Sequence, residues 1–406
     1  MGSDALYSNR GKGCGIISSD VTKRALSAGF GVGALALLAP RASADTPFSS
    51  FAFPATGAPT ARTMPDRLAE IKSVKDFGAK GDGVTDDTAA LQAMFNQFMA
   101  GTLTGKMYFS PGTYLITSPL TLNEINKNFG LHVSGNAATL LGYFPGYLIE
   151  RNTTSGNDNA TFITIEGLAL INNNQAAGGG GCVHLTHGFQ FHVKDCYLRG
   201  YIGVSMTNVL QGSVRRCMVR GIGSSQTDPA SIGIFMWCNQ AHLDQIDING
   251  LHHGVRAMAN LCMRETRIEQ CMVGTVIGMT ADGGTWDASG EISNSTFEAN
   301  QTAIWAYAAS HMRIHSCGLL GDPFGPVSGV LSDIGLRVTG MINCVVGPLD
   351  SSGTYTDAAI LFDPNVVINQ SVWMSVNGLV GAGGGVNWKG LPASHPGLTL
   401  LQCNNA

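Results

Sequence analysis

The chain has 406 residues and a net charge of -4; charged residues make up only 13% of it, hydrophobic residues 44%, and glycine fills 53 positions. That balance excludes a strongly basic nucleic-acid binder, a polybasic membrane patch and a globally disordered chain. The length allows one large domain or two ordinary ones, and the Gly-rich, charge-poor composition points to tightly turned β structure.

Residues 1–44 read as an export signal. Lys23 and Arg24 precede a small, apolar run from Ala25 to Pro40, and Ala42-Ser43-Ala44 supplies an A-x-A cleavage site. The run is too short and too rich in Gly and Ala for a membrane span. Thr22-Lys23-Arg24-Ala25-Leu26 resembles a twin-arginine signal with Lys in place of the first Arg; a retained anchor is the alternative. Cleavage would remove five basic and two acidic residues and leave a secreted or periplasmic chain of net charge -7 with no stable membrane span. Cys14 would leave with it, so the ten cysteines become nine, which cannot all pair internally. Cys196 in Val-Lys-Asp-Cys-Tyr-Leu and Cys217 in Val-Arg-Arg-Cys-Met-Val occupy the same place in one apolar pattern. They read as buried core thiols.

Residues 45–70, with Pro47, Pro54, Pro59 and Pro65 and no apolar period, read as a linker or extended arm. The folded domain is expected over residues 71–406. It opens with Val74-Lys-Asp-Phe-Gly-Ala-Lys-Gly-Asp-Gly-Val-Thr-Asp-Asp-Thr-Ala-Ala-Leu-Gln92, a short strand, a glycine turn and a helix start. Thr85 or Asp86 can cap that helix, and Leu91, Met94, Phe95 and Phe98 give it one apolar face. Lys106-Met-Tyr-Phe-Ser-Pro-Gly-Thr-Tyr-Leu-Ile-Thr117 follows as two strands about a Pro-Gly turn.

These two blocks resemble the opening of the pectate-lyase-like, rhamnogalacturonase/epimerase-type family, whose members begin D-F-G-A-x-G-D-G-x-x-D-D-T-x-A-x-Q and continue with P-x-G-x-Y. The resemblance implies an all-β fold, a right-handed parallel β-helix whose N-terminal end is covered by a capping helix. It also implies a protein that cuts or binds acidic and complex polysaccharides. Asp86 and Asp87 belong to the cap in that family and take no catalytic role.

The remaining chain supports coils without the family. Leu168, Cys196, Cys217, Ile246, Thr266, Ser295 and Cys317 align as successive inward rungs, with Cys344 as a further one, and each is followed two positions later by a second inward residue. Periods in the twenties suit a solenoid with one turn per rung; a β-sandwich would carry hairpin signals that are missing. The Gly378–Gly385 segment reads as a flexible turn.

Alternation then fixes three outward columns. One holds Tyr197, Met218, Asp247, Arg267, Thr296 and Gly318. The next holds Arg199, Arg220, Asn249, Glu269, Glu298 and Leu320. The third holds Lys194, Arg215, Asp244, Arg264, Ser293 and His315. Stacked rungs put Glu269 and Glu298 roughly 5 Å apart and Asp247 about 8 Å from Glu269, spacings that suit retaining and inverting glycosidases respectively. The expected catalytic residues are therefore Asp247, Glu269, Glu298 and Arg267. Arg199, Arg220 and Arg264 are candidates for binding uronic carboxylates, and Trp286, Trp305 and Tyr307 for stacking on sugars. A solvated Arg–carboxylate ladder is the competing reading of the same columns.

The polygalacturonase motifs N-T-D and G-H-G do not occur, and Arg267-Ile268-Glu269 ends in Glu where that enzyme type has Lys. The histidines show no metal-binding spacing. The expected function is glycoside hydrolysis of an acidic or complex polysaccharide, with no cofactor. A polysaccharide lyase is the alternative, in which Asp244, Asp247 and Glu269 beside Arg267 would hold calcium. A non-catalytic adhesin of the tailspike kind is the other. The expected partner is a polysaccharide, not nucleic acid, and the protein is expected as a monomer or homotrimer.

Overall fold

Short strands that alternate inward and outward side chains need a partner for every backbone edge, and here each finds it one coil away. The computed structural model describes residues 52–54, 60–122, 130–153, 160–176, 178–280, 283–321, 333–352, 355, 357–369, 372–377, 386–390 and 398–400. The export signal expected over residues 1–44 and the Gly378–Gly385 turn lie outside them. The architecture is a right-handed parallel β-helix. Strand Gly181–Lys194 pairs in parallel with Ile202–Arg215, that with Ile232–Asp244, and that with His253–Arg264. Three-residue strands stack beside them: Tyr197–Arg199, Met218–Arg220, Asp247–Asn249, Arg267–Glu269 and Thr296–Glu298.

The long strands Gly181–Lys194 and Ile202–Arg215 bend near their middles, at His187 (φ 49°) and Asn208 (φ 54°). A sharper corner follows each long strand. Asp195, Arg216, Gln245, Glu265, Asn294 and Ser316 all take left-handed backbone, with φ between 48° and 55°. Such a conformation costs a side-chain-bearing residue about 1 kcal/mol or more. The stack offsets it: Asp195, Arg216 and Gln245 each donate their N–H to a carbonyl of the following coil, at 2.9–3.1 Å. Every coil thus presents three outward faces: the first half of the long strand, its second half, and the short strand.

The predicted rungs Leu168, Cys196, Cys217, Ile246, Thr266, Ser295 and Cys317 all point inward and are buried. Their composition has a local cause. The residue after the corner donates to the carbonyl two residues back: Cys196 to Lys194 at 3.2 Å, Cys217 to Arg215 at 3.2 Å, Thr266 to Arg264 at 3.0 Å, Ser295 to Ser293 at 3.0 Å and Cys317 to His315 at 3.2 Å. Small side chains with one donor fit that task, so Cys, Ser and Thr interchange there. Cys344 corrects the expected pattern. It is buried and donates to Ile342, but Leu349 is the residue that pairs with Cys317. The chain turns at Asn343 (φ 51°) above His311 (φ 53°), one corner earlier, so Cys344 shares the corner chemistry without sharing the rung.

Helix Thr88–Met99 buries Leu91, Met94, Phe95, Phe98 and Met99 into the same apolar cluster as Met107, Phe109, Tyr114 and Leu120 of the first coils. Its Gln92 side chain donates to the Thr121 carbonyl at 3.0 Å and accepts from the Thr121 N–H at 2.8 Å, so a side-chain amide substitutes for a strand at that edge. Asp87 occupies the N-cap position, yet its buried carboxylate faces away and accepts from Lys80 N (2.6 Å) and Gly81 N (2.9 Å). Asp86 instead holds Thr88 and Thr117. Ordered elements precede Ile71: Ala52–Pro54 pairs antiparallel with Ala61–Thr63, and a one-turn helix covers Met64–Leu68, within the segment expected as linker or arm.

Candidate active site on the outward faces

The short-strand face carries the predicted carboxylates in the predicted register. Asp247 pairs with Arg267, Asn249 with Glu269, and Glu269 with Glu298 on the next coil. Nη2 of Arg267 lies 2.6 Å from Oε2 of Glu269 and 2.8 Å from Oε2 of Glu298. The shared nitrogen holds those oxygens no more than about 5.4 Å apart, and the spacing of adjacent coils, about 4.8 Å, is close to the roughly 5 Å of a retaining glycosidase pair. Glu269 also accepts from Asn249 Nδ2 at 3.0 Å. The hydrogen bond that Arg267 donates to Glu298 is the main cause that raises its guanidinium above the ordinary value. Asp247 turns to the other side, where Arg220 grips it at 2.8 and 3.2 Å. The Arg199 side chain shares this half-buried column and makes no ion pair among the described residues.

Arg264 lies elsewhere. Glu265 is a left-handed corner, so Arg264 ends the second face while Arg267 begins the third. The same turn at Gln245 separates Asp244 from Asp247. Asp244 is held by Arg215 at 3.0 Å, Asp247 by Arg220 and Glu269 by Arg267. The acidic group expected beside Arg267 for a calcium-dependent lyase is therefore not assembled. Among the described residues no three His, Cys, Asp or Glu side chains come together as a metal site. His252 and His253 meet at 3.2 Å, and burial pushes His253 down to about 3. At the start of the second face Glu166 collects Lys106 (2.6 Å), Lys194 (2.7 Å) and His132 (2.8 Å). Burial opposes its ionisation, but these three donors together bring it down to about 2.

The aromatic candidates occupy the remaining face, the first half of the long strands. Trp305 lies in an outward column after Phe235, Arg256 and Val276 and before Arg337. The Arg337 guanidinium covers its ring at 4.1 Å, Nε1 donates to Thr339 at 2.9 Å, and Tyr307 meets it edge-on at 5.4 Å. Tyr307 donates to the Gly283 carbonyl at 2.8 Å, tying down the loop that carries Trp286. Trp286 is 48% exposed and meets Trp237 edge-on at 5.9 Å. Sequence reasoning missed Trp237, Arg337 and Asp363, which holds Arg337 at 3.0 Å. Extending the alternation through Ile232-Gly-Ile-Phe-Met-Trp237 would have placed Phe235 and Trp237 outward. The expected site residues are thus distributed over three faces and do not form one cluster.

Residues 71–277 match the family described as rhamnogalacturonase A/epimerase, pectate lyase-like. Among curated proteins, the chain is 27% identical over 185 residues to a probable glucan endo-1,3-beta-glucosidase of Arthroderma benhamiae, covering 41% of this chain and 18% of that protein. It is 31% identical over 165 residues to depolymerase 1, capsule K30/K69-specific, of Klebsiella phage K5-2, covering 38% and 20%. The chain spans only 5% to 20% of the length of the curated relatives it matches. Among solved structures, the A-module of the Azotobacter vinelandii mannuronan C-5 epimerase AlgE4 superimposes with a TM-score of 0.47 at 13% identity, over 81% of this chain and 100% of that one.

Proposed function

The chain belongs to the rhamnogalacturonase A/epimerase, pectate lyase-like family, and from that premise we propose that it is a glycoside hydrolase acting outside the cell on an acidic or complex polysaccharide. The observation that carries this reading is the Glu269–Glu298 pair, two carboxylates on adjacent coils within reach of one Arg267 nitrogen. Their spacing suits retention of configuration. Glu269, fixed by Arg267 and Asn249, is the nucleophile that attacks the anomeric carbon. Glu298, held by Arg267, gives a proton to the leaving oxygen and then takes one from the water that releases the glycosyl-enzyme. Relatives named as a glucosidase and a capsule depolymerase support a polysaccharide as the substrate class.

Binding without cleavage is the second reading, and the favouring observation is Arg267 itself, which bridges both carboxylates as a structural ladder would. A panel of polysaccharides separates the two. Hydrolysis gives new reducing ends without ultraviolet absorbance from unsaturated uronates, and Glu269→Gln or Glu298→Gln lowers turnover by orders of magnitude while the melting transition stays in place. Near-normal turnover in both variants removes the pair from the mechanism, and binding with no product leaves the adhesin reading.

A further inference from the structure

The second outward face carries a groove that the hydrolase reading does not use. It encloses about 510 Å³ and is lined by His192, Lys194, Arg215, His242, Cys262 and Arg264, with Asp244 as its one carboxylate and Thr164, Ser213 and Leu243 completing the wall. These residues form two adjacent columns, Lys194–Arg215–Asp244–Arg264 and His192–Ser213–His242–Cys262, on four consecutive coils. Three cations line it against one carboxylate, in a chain whose net charge is -4, while Glu166 and Glu291 border it at either end. Lys194 is drawn to Glu166 and Arg215 to Asp244. Arg264 is exposed, and its guanidinium makes no ion pair or hydrogen bond among the described residues; it acts on Glu291 only through space. His192 is oriented by Ser213 at 2.6 Å. Burial first, and then the charges of Lys194, Arg215 and His242, keep this imidazole below its ordinary value.

We propose that this groove binds the anionic substituents of a charged glycan lying along the solenoid axis, as a site separate from the face that bears Glu269 and Glu298. Neighbouring coils are about 4.8 Å apart, and one pyranose in an extended chain advances by a similar length. Lys194 and Arg215 therefore meet neighbouring sugars, and Arg264, two coils beyond Arg215 with Asp244 between them, meets a sugar further along the chain. Guanidinium forks donate to carboxylates and sulfates in two-point contact, and the exposed Arg264 gives up no ion pair among the described residues to do so. The groove would hold the polymer while the carboxylate face, around the corner at Gln245 and Glu265, works on it or on another segment of it.

Cys262 makes the groove testable without any activity, because it is half-exposed while the other seven described cysteines are buried. The rate at which iodoacetamide alkylates Cys262 in the folded full-length chain is followed by peptide mass spectrometry, with hexagalacturonate, dextran sulfate or neutral dextran present. Protection by hexagalacturonate assigns carboxylates, protection by dextran sulfate assigns sulfates, and either supports the site. High salt weakens that protection, and Arg264→Gln weakens it roughly tenfold, as loss of a charge-assisted contact predicts. Arg264 is exposed, so its replacement leaves the melting transition in place. Glu298→Gln, the variant that tests hydrolysis, retains the protection, so the two readings fail separately. Unchanged alkylation with both anionic polymers overturns the proposal. Equal protection by neutral dextran does the same, as does full protection in the Arg264→Gln protein.

Discussion

The Cys217 thiol donates to the Arg215 carbonyl at 3.2 Å, across the single left-handed residue Arg216. Cys196 repeats the arrangement one coil away, and the Cys217 thiol beside it, together with burial, pushes Cys196 well above the usual thiol range. The same contact draws Cys217 the other way, but both side chains are enclosed, and enclosure is what shields them from reagents. In native protein neither should react with maleimide on the timescale on which Cys262 does, and both should label on unfolding. Fast labelling of Cys196 or Cys217 in folded protein would contradict the stacked corner. Cys217→Ser, which copies Ser295, should cost about 1 kcal/mol or less in urea unfolding, whereas Cys217→Leu should cost about 1–3 kcal/mol by overpacking.

Glu166 links the first coils to pH. Its carboxyl is brought from an ordinary 4.5 to about 2 in the folded chain. A depressed folded value gives stability that is present above the unfolded value and lost as pH falls toward the folded one. Unfolding free energy should therefore decline between about pH 4.5 and 2, by an amount on the order of 2 kcal/mol for this group after allowance for its partial exposure. Glu166→Gln should remove that increment at pH 6 and match the wild type near pH 2. A pH-independent gap between the two proteins would mean that the loss is one of packing.

The cap helix should be as necessary as a core strand. Phe95 is fully buried between it and the first coils, so Phe95→Ala should cost about 3–5 kcal/mol in denaturant unfolding. Removal of the chain through Met99 leaves apolar rungs and the Thr121 edge uncovered, and insoluble protein is the expected product. A soluble, cooperatively unfolding truncation would show that the coils close themselves.

The aromatic face predicts a division between its two tryptophans. Trp305 is locked by Arg337, Thr339 and Tyr307, so Trp305→Ala should lower stability by about 1–3 kcal/mol. Trp286 is half-exposed at the edge of a loop. Trp286→Ala should leave the melting temperature within a degree or so and weaken retention on immobilised polysaccharide, read by affinity electrophoresis. Unaltered retention would assign Trp286 to holding the loop against Trp237.

The coil register was legible because inward residues recur at i and i+2 in every rung, and that alternation alone aligned Asp247 with Arg267 and Glu269 with Glu298. The faces were not. Arg264 and Arg267 are three residues apart and belong to different sheets because Glu265 takes a conformation that sequence assigns to Gly or Asn. Ion pairing was hidden for a related reason. Register puts Arg267 beside two carboxylates, but whether a long side chain bridges them or reaches to solvent depends on rotamers that alternation does not fix. Cys344 misled through true local chemistry, since the corner it serves recurs at more than one place in a coil.

The single-residue corners also determine where this protein can change length. One residue inserted beside Gln245 would reverse the alternation of Asp247–Asn249, turning Ile248 to solvent and two polar side chains into the core. The junctions at 221–231 and 278–287 already accommodate extra chain, held by contacts such as Ser225 to Gly250 and Tyr307 to Gly283. Both adjoin the face that bears Trp237 and Trp305. Lineages diverging from this scaffold would accumulate insertions along the borders of that one face, so new ligand preferences could arise by loop replacement while the hydrogen-bonded ladder beneath stays unaltered.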